Sequence, residues 1–483
     1  MTRSNAALIC FLAYGIALLA IAVWAARRTH SSTDFFLGRR RCGAWLLAVS
    51  HVANATSGWM VLVISGAAFT LGLAAIWIWL AVIFGYAFNG FYIAPRLRLL
   101  SSGLGSITVA QVIAAEAGDR FQSLLLRSSS LILFTTFLLE IGAVVHAGGS
   151  LAGELGFDVT TAIVLSFIAI TAYTVVGGYW AASATDVIQV VVLLAVVLLL
   201  PLLSVVAAGD MEQMRTGFAA LGPAANDWFG GRTGVVAIAF VAGVSGFGFA
   251  LTGQPHALIR FMAAKDESTL RGARWIALLC IALLAGAALV CGWCASVLYA
   301  GFDNPQRVLF VIPERILPPW TSAMITAALI CVMAAGISNR LLLVASSLSA
   351  DTRAANSPSS FAWARVVLFL FAILALCFSL YSNDDLMQQT LFSFSALGAA
   401  FGPLLIVRLS GKRVRPGSAL GAMWAGFVLT ALFHALPDSP GDFLERVLPF
   451  VAALGIALSG GERRRNSDRA DRSQETVHDR VPI

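Results

Sequence analysis

Charged residues are scarce in this chain of 483 residues. Asp, Glu, Lys and Arg make up 12% of the sequence, whereas soluble domains usually carry about 25%. Hydrophobic residues account for 59%, and the mean hydropathy is +0.84. A chain of this composition cannot cover itself with a water-exposed surface. The scarcity of charge therefore excludes a soluble enzyme, a nucleic-acid-binding domain and a secreted disulfide scaffold.

Lysine is almost absent, because only Lys265 and Lys412 stand among the 32 basic residues. The formal net charge is nevertheless +7, so the basic residues are nearly all arginines. Cysteine is also infrequent, with seven residues that lie mostly within apolar stretches. Cys291 and Cys294 form a CxxC, but no second pair accompanies it. We interpret the cysteines as small buried hydrophobes and expect no metal site and no organic cofactor.

Apolar runs long enough to cross a bilayer recur along the chain. A transmembrane helix needs about 20 predominantly apolar residues, and thirteen such runs are separated by polar residues. The predicted spans are residues 5–26, 43–70, 73–94, 127–150, 159–180, 185–207, 233–257, 273–300, 319–346, 361–382, 387–408, 417–436 and 444–460. We therefore predict an all-α polytopic membrane domain with thirteen transmembrane helices over residues 1–461. A charged tail over residues 462–483 is predicted to be disordered.

The arginines predict the orientation of these spans. Twenty-five of the 32 basic residues fall in loops after odd-numbered spans or in the tail, six fall on the opposite side, and Arg340 lies inside a span. Cytoplasmic loops carry an excess of Lys and Arg. The bias to arginine over lysine favours a bacterial source, and we therefore expect a bacterial cytoplasmic (inner) membrane protein with its N-terminus outside and its C-terminus in the cytoplasm. The positive charge then marks a membrane face and not a nucleic-acid partner.

Spans two and seven each contain a cluster of small and polar residues. The cluster in span two is Ser50, His51, Asn54, Thr56, Ser57 and Gly58, and the cluster in span seven is Gly243, Ser245, Gly246, Gly248, Thr252 and Gly253. The two spans are five helices apart, so they run in opposite directions. Such a pair is typical of transporters built from an inverted repeat with broken helices. Close packing of helices through small residues is the alternative explanation.

Several motifs in the chain resemble the sodium:solute symporter family and, within it, the bacterial sodium/proline symporters. The motifs are Phe36-Leu37-Gly38-Arg39, Ser57-Gly58-Trp59, Gly177-Gly178, Gly253-Gln254-Pro255-His256, Arg260-Phe261-Met262 and Gly398-Ala399-Ala400-Phe401-Gly402-Pro403. The resemblance covers residues 1–460. It implies a five-plus-five inverted-repeat (LeuT-like) core, made of spans two to six and seven to eleven, with broken helices at spans two and seven. It also implies a secondary transporter, not an enzyme, that works by alternating access.

The resemblance implies cation-coupled symport of a small organic solute and favours an amino acid such as proline. It places Ser57, Gly58 and Trp59 near the substrate and the ion. Aromatic positions of the proline carriers fall on Leu139, Phe247 and Leu251 in this chain. The pocket is therefore expected to be more apolar than that of the proline carriers.

The resemblance also implies a site for the coupling ion, which would be Na⁺ or H⁺. Positions of the family's sodium site fall on Ala53 and Thr56 of span two and on Ala335 and Gly336 of span nine. Asp186 falls on a family acidic position that is linked to ion release; an N-cap for span six is the alternative or additional role.

The predicted sodium site has lost side-chain oxygens, which a hard cation needs. Ala55 stands where the proline carriers have an aspartate, and Ala335 and Gly336 stand where the family has two adjacent hydroxyl residues. Arg340 follows about one helical turn later, so we consider it as a tethered cation in place of sodium. The alternative is an arginine that snorkels to the cytoplasmic interface.

Glu140 lies in the middle of span four, and an ionisable group there is a functional candidate by default. Spans four and nine are neighbours in the implied fold, so Glu140 is expected to pair with Arg340, to carry protons, or to stay protonated as a structural residue. Three functions remain open at this point: a cation-coupled symporter, a sodium-independent carrier (proton-coupled or exchange) that uses Arg340 and Glu140, and a transporter-like membrane sensor. The expected partners are a small-molecule substrate and the lipid bilayer, and the oligomeric state is left open.

Overall fold

A computed structural model describes residues 2–463 apart from short gaps. The gaps are residues 30–34, 37–39, 41, 116, 300, 351–357, 382–385 and 438. Side chains are also left undescribed at residues 55, 57–59, 335, 350, 358–361, 386, 387 and 463. Most of the predicted tail, residues 464–483, lies outside the described residues.

The described chain is almost entirely helical. The α-helices are α1 (Arg3–Ala26), α2 (Ala44–Leu71), α3 (Ile76–Phe88), α4 (Ala94–Gly103), α5 (Val109–Ala114), α6 (Asp119–Glu154), α7 (Val159–Ala208), α8 (Met211–Ala220), α9 (Gly234–Ala250), α10 (Pro255–Met262), α11 (Glu267–Leu298), α12 (Val308–Ile316), α13 (Pro319–Ala350), α14 (Pro358–Tyr381), α15 (Leu386–Leu409), α16 (Pro416–His434), α17 (Phe443–Arg446) and α18 (Leu448–Ser459). Short 3₁₀ turns occupy Gly72–Ala75, Leu251–Gly253, Pro305–Arg307 and Pro440–Asp442, and a π-helical turn covers Asn89–Ile93.

Two short strands join the last transmembrane segments on one side of the molecule. β1 (Lys412–Val414) pairs antiparallel with β2 (Gly461–Arg463), and Lys412 lies opposite Arg463. Glu462, which the sequence analysis placed in the tail, also accepts a 2.7 Å hydrogen bond from Arg415 Nε. The first residues of the predicted tail, Glu462 and Arg463, therefore belong to a strand.

Ten helices among the described residues are long and apolar enough to cross a membrane. The chain is therefore a multi-pass membrane protein. This number is lower than the thirteen predicted spans for three reasons. Predicted spans two and three are joined by a helical turn into one segment, predicted spans five and six both lie on α7, and predicted span thirteen is divided between α17 and α18.

Helix α7 is bent near its middle. Its 50 residues would be about 75 Å long in a straight helix, which is more than twice the roughly 30 Å hydrocarbon core of a bilayer. Gly178 has φ 54° and ψ −138°, which is not helical. A Cβ atom there would lie 2.5 Å from the Phe35 side chain. Only glycine fits this bend, which divides α7 into two segments of transmembrane length.

Helix α2 is continuous, so the break predicted in span two is not found. Two of the polar residues that suggested a break donate hydrogen bonds within the helix itself. Thr56 Oγ1 donates to the carbonyl of Val52 (2.7 Å), and Asn54 Nδ2 donates to the carbonyl of Ser50 (2.9 Å). Hydroxyl and amide side chains that bond to the preceding turn are compatible with a regular helix.

Predicted span seven is interrupted. α9 ends at Ala250, a 3₁₀ turn follows, and Gln254 is extended (φ −84°, ψ 98°) before α10 begins at Pro255. Proline suits the first position of a helix because its missing N–H would have no partner there. A Cβ atom on Gly253 would lie 2.6 Å from the carbonyl oxygen of Gly398 on α15. The interruption therefore packs directly against the α15 backbone.

Contacts between loops sort the chain into two faces. On one face, three arginine side chains donate hydrogen bonds to backbone carbonyls of neighbouring loops. They are Arg40 (to Ser101, Ser106 and Met262), Arg98 (to Ala264 and Lys265) and Arg408 (to Val112 and Ala115). On the other face, Arg3 pairs with Glu314, Ser4 binds the carbonyl of Leu155, and the N–H of Leu73 binds Ala225. The first face collects loops that follow odd-numbered predicted spans, and the second collects the N-terminus and loops that follow even-numbered ones.

Candidate functional site

A buried ion pair joins α6 to α13 in the interior of the molecule. Arg340 Nη2 donates to Glu140 Oε1 at 2.5 Å, and the side chains are 3% and 1% exposed. Arg340 Nη1 donates to the carbonyl oxygen of Gly336, one turn earlier on α13 (2.9 Å). Arg340 is therefore a buried, paired cation, and the snorkelling alternative is wrong.

Each member of this ion pair keeps one polar atom without a hydrogen-bond partner. These atoms are Glu140 Oε2 and Arg340 Nε, and both are buried. A buried polar group without a partner costs roughly 1–3 kcal/mol, and more when the group is charged. Such exceptions call for an explanation such as an ordered water, a ligand or an ion.

A second buried ion pair joins α7 to α10. Arg260 Nη2 lies 3.1 Å from Asp186 Oδ2, with side chains 2% and 1% exposed. Asp186 also accepts hydrogen bonds from Ser50 (2.5 Å) and Asn54 (3.3 Å) of α2 and from Asn339 (3.1 Å) of α13. This cluster, which we call the Asp186 network, therefore ties four helices together.

The contacts of Asp186 exclude the N-cap role that the sequence analysis left open for this residue. Asp186 lies well inside α7, and its carboxylate accepts bonds from side chains of other helices and not from backbone N–H groups at a helix start. It is therefore not an N-cap. Its proposed part in ion release stays a prediction.

Arg260 and Asn339 are the partners that the sequence analysis missed. Arg260 was counted among the cytoplasmic loop residues, but it is 1% exposed and lies 4.6 Å over the ring of Tyr179. Its Nη1 also donates to Ser183 (2.7 Å), and its Nη2 donates to Asn339 Oδ1. The signal in the sequence was the apolar run around Arg260, because every residue of α10 is buried.

The interruption between α9 and α10 lies close to the helix that carries Glu140. The His256 ring contacts the ring of Phe137, which is three residues before Glu140, with centroids 5.7 Å apart. Gln254 Nε2 donates to the carbonyls of Ala250 (2.9 Å) and Phe394 (2.8 Å), and its Oε1 is buried without a partner. Polar groups with free hydrogen-bonding capacity therefore lie beside the broken helix.

The predicted substrate residues are only partly described. The backbone of Ser57, Gly58 and Trp59 is helical, but their side chains lie outside the described residues. Leu139 is half-buried beside Glu140. Phe247 and Leu251 are buried on the α3 and α17 side of span seven: the Arg446 guanidinium lies 4.9 Å over the Phe247 ring, and Asn89 Nδ2 donates to the carbonyl of Leu251 (2.9 Å).

The predicted ion-site residues lie on α2 and α13. Ala53, Thr56 and Gly336 are buried, and the side chain of Ala335 is not described. The carbonyl of Gly336 already accepts from Arg340. Within the described part of the chain, no cluster of three or more His, Cys, Asp or Glu side chains could hold a metal ion.

The sequence matches known transporters over most of its length. The model of the sodium:solute symporter family matches residues 35–428. The osmoregulated proline transporter OpuE of Bacillus subtilis (strain 168) is 28% identical over 466 residues, which cover 92% of this chain and 93% of that protein. The sodium/proline symporter of Haemophilus influenzae is 28% identical over 474 residues, which cover 93% of each.

Solved structures show the same fold at low sequence identity. A Na⁺-coupled sialic acid symporter in a substrate-bound outward-open state gives a TM-score of 0.79 at 17% identity and covers 95% of this chain and 99% of that one. The nucleobase-cation-symport-1 family transporter Mhp1 gives 0.56 at 15% identity and covers 88% and 92%. The long family match and the shared fold lead to one conclusion. The chain belongs to the sodium:solute symporter family.

Proposed function

We propose that this protein is a secondary active transporter that carries a small amino acid, proline in the first instance, together with a cation. The main support is the similarity to proline transporters along nearly the full length of both chains. Charged groups buried in the interior at Glu140 and Arg340 agree with a polar solute, since a membrane protein buries ionisable side chains chiefly along transport pathways.

We infer that the architecture consists of thirteen transmembrane helices with a five-plus-five inverted repeat. The packing of the helices supports this repeat. If α2 corresponds to α9–α10, α3 to α11 and α6 to α13, with the two segments of α7 corresponding to α14 and α15, then two extensive contacts each have a counterpart. α2 packs on α11 as α9 packs on α3, and α6 packs on α15 as α13 packs on α7.

Alternating access would require the Asp186 network to open. Ser50 and Asn54 belong to α2, Arg260 to α10 and Asn339 to α13, and all of them converge on Asp186 of α7. These contacts lie towards the face where Arg40 and Arg98 bind the loops, which we assign to the cytoplasm by the positive-inside rule. A solute leaving on that side would pass between helices that this network holds together.

The test is uptake by purified protein in proteoliposomes, with labelled L-proline, other amino acids and organic acids, under separately imposed sodium and proton gradients. We expect proline uptake driven by an inward cation gradient. Uptake of organic acids alone would contradict the amino-acid assignment. Neither uptake nor counterflow of any solute would contradict transport and favour a sensor.

One observation favours a second candidate, a sodium-independent carrier. Arg340 Nη1 donates to the carbonyl of Gly336, and Gly336 falls on a position of the family's sodium site, so a guanidinium fixed there would take the place of the ion. In the uptake experiment, choline would replace external sodium. Unchanged uptake supports this candidate, and strict sodium dependence excludes it.

A further inference from the structure

We propose that the Glu140–Arg340 pair recognises the two charges of a zwitterionic substrate, with Glu140 binding its ammonium group and Arg340 its carboxylate. This inference rests on the proposed amino-acid transport and adds the residues that would define the substrate class. Its basis is the two atoms that the pair leaves unsatisfied. Glu140 Oε2 lacks a donor and Arg340 Nε lacks an acceptor, although both are buried.

The chemistry of these two atoms fits a ligand that both donates and accepts hydrogen bonds. A cation alone would satisfy Glu140 Oε2 but would leave the Arg340 Nε–H without an acceptor, and an anion alone would do the reverse. An α-amino acid carries an ammonium donor and a carboxylate acceptor on the same carbon, so one molecule satisfies both. Hydrogen bonds between charged partners are also the strongest available to a protein.

The charge balance of the site points the same way. Glu140 and Arg340 neutralise each other at 2.5 Å, and both side chains are almost fully buried. A net-charged solute bound at the pair without a coupling ion would leave an uncompensated charge in the membrane interior, which is costly. A zwitterion has no net charge, so its binding keeps the interior neutral.

The pair lies near a helix interruption. His256, at the start of α10 just after the interruption, contacts Phe137, which is about one helical turn before Glu140 on α6. Broken helices mark the substrate sites of inverted-repeat transporters. Leu139, which falls on an aromatic position of the proline carriers, is the neighbour of Glu140 in the chain.

The test compares L-proline with two analogues that each lack one charged group. Pyrrolidine lacks the carboxylate, and tetrahydrofuran-2-carboxylate has a ring oxygen in place of the amine. Their half-inhibitory concentrations against labelled L-proline uptake are measured in proteoliposomes for the wild type, Glu140→Gln and Arg340→Gln. Glu154→Gln is the matched control, because Glu154 lies on the same helix and pairs with Arg307 at the half-exposed edge.

A loss of about tenfold or more in apparent affinity is expected where a charged hydrogen bond is removed. Glu140→Gln should lower the apparent affinity for proline by this factor but change the affinity for tetrahydrofuran-2-carboxylate by less than about twofold. Arg340→Gln should lower the apparent affinity for tetrahydrofuran-2-carboxylate and leave the affinity for pyrrolidine unchanged. A purely structural role would lower the affinity for all three compounds together, and that result would overturn the assignment.

A measurement on the wild type keeps the inference testable if the variants do not fold. Proline should raise the melting temperature of the purified protein more than either analogue does. If pyrrolidine or tetrahydrofuran-2-carboxylate inhibits uptake as well as proline does, the charge-pair recognition is wrong while amino-acid transport stands. If the wild type neither binds nor transports proline, the proposed function fails first and the inference fails with it.

Discussion

At the scale of single residues, burial determines how strongly each charged side chain affects the stability of the protein. Arg3 and Glu314 pair at the surface with 36% and 40% of their side chains exposed, whereas Asp186 and Arg260 are almost fully buried. Exposed pairs contribute little, typically up to about 1 kcal/mol. A buried partner left alone costs far more, because its charge has lost its water without compensation.

We predict that Asp186→Ala destabilises the protein by about 3–5 kcal/mol, because Arg260 would remain as an unpaired buried cation. The double variant Asp186→Ala with Arg260→Ala should be less destabilised than the sum of the two single variants. Thermal or denaturant unfolding in detergent measures both. Glu314→Ala is the matched surface control and should change stability by less than about 1 kcal/mol. Additive losses would show that the buried pair is not coupled.

At the scale of elements, two glycines decide how helices end or bend. Gly178 bends α7 with a positive φ, and Gly253 brings the α9–α10 interruption against α15. At Gly253 the atoms closest to an added methyl group belong to the backbone of Gly398, Gly402 and Leu397. Backbone cannot move aside as a flexible side chain can.

We predict that Gly253→Ala costs about 1–3 kcal/mol through overpacking and lowers the rate of proline uptake, because the interruption can no longer pack on α15. Gly15→Ala is the control, since α1 has open space at that position and alanine is the better helix former. The melting temperature in detergent and initial uptake rates in proteoliposomes report the two effects. Equal behaviour of the two variants would contradict the packing argument.

At the scale of the whole molecule, the arginines and the loop contacts describe the same two faces. The contacts of Arg40, Arg98 and Arg408 hold together loops that carry most of the basic residues. The N-terminus lies on the other face, through Arg3 and Ser4. An odd number of membrane crossings, as predicted, would place the N-terminus and the C-terminus on opposite faces.

We predict that green fluorescent protein fused to the C-terminus of the chain fluoresces and that alkaline phosphatase fused there is inactive, because the positive-inside rule assigns the C-terminus to the cytoplasm. Phosphatase fused after residue 222, in the loop between predicted spans six and seven, should be active. Cell fluorescence and phosphatase activity of the matched fusions check the orientation. An active phosphatase at the C-terminus would reverse the topology.

The membrane itself explains why so much could be predicted from the sequence. A bilayer fixes the length and polarity of each span, so the helical character and most spans follow from apolar runs. The same scarcity of charge singled out Glu140 and Arg340, because a charge inside an apolar run is conspicuous. The cluster of small residues also drew attention to span seven, where the chain leaves the α-helix from Leu251 to Gln254.

Only the tertiary structure decided which groups meet. Arg260 follows predicted span seven, so the sequence indicates a loop residue. In the structure it pairs with Asp186, 74 residues earlier in the chain. The continuous α2 could not be foreseen, because Ser50 and Asn54 find Asp186 across a helix contact and need no unwinding. The sequence thus determines where the chain is apolar or charged, since that depends on each residue alone. Pairing depends on distances between helices far apart in the chain, and those are set only when the helices pack.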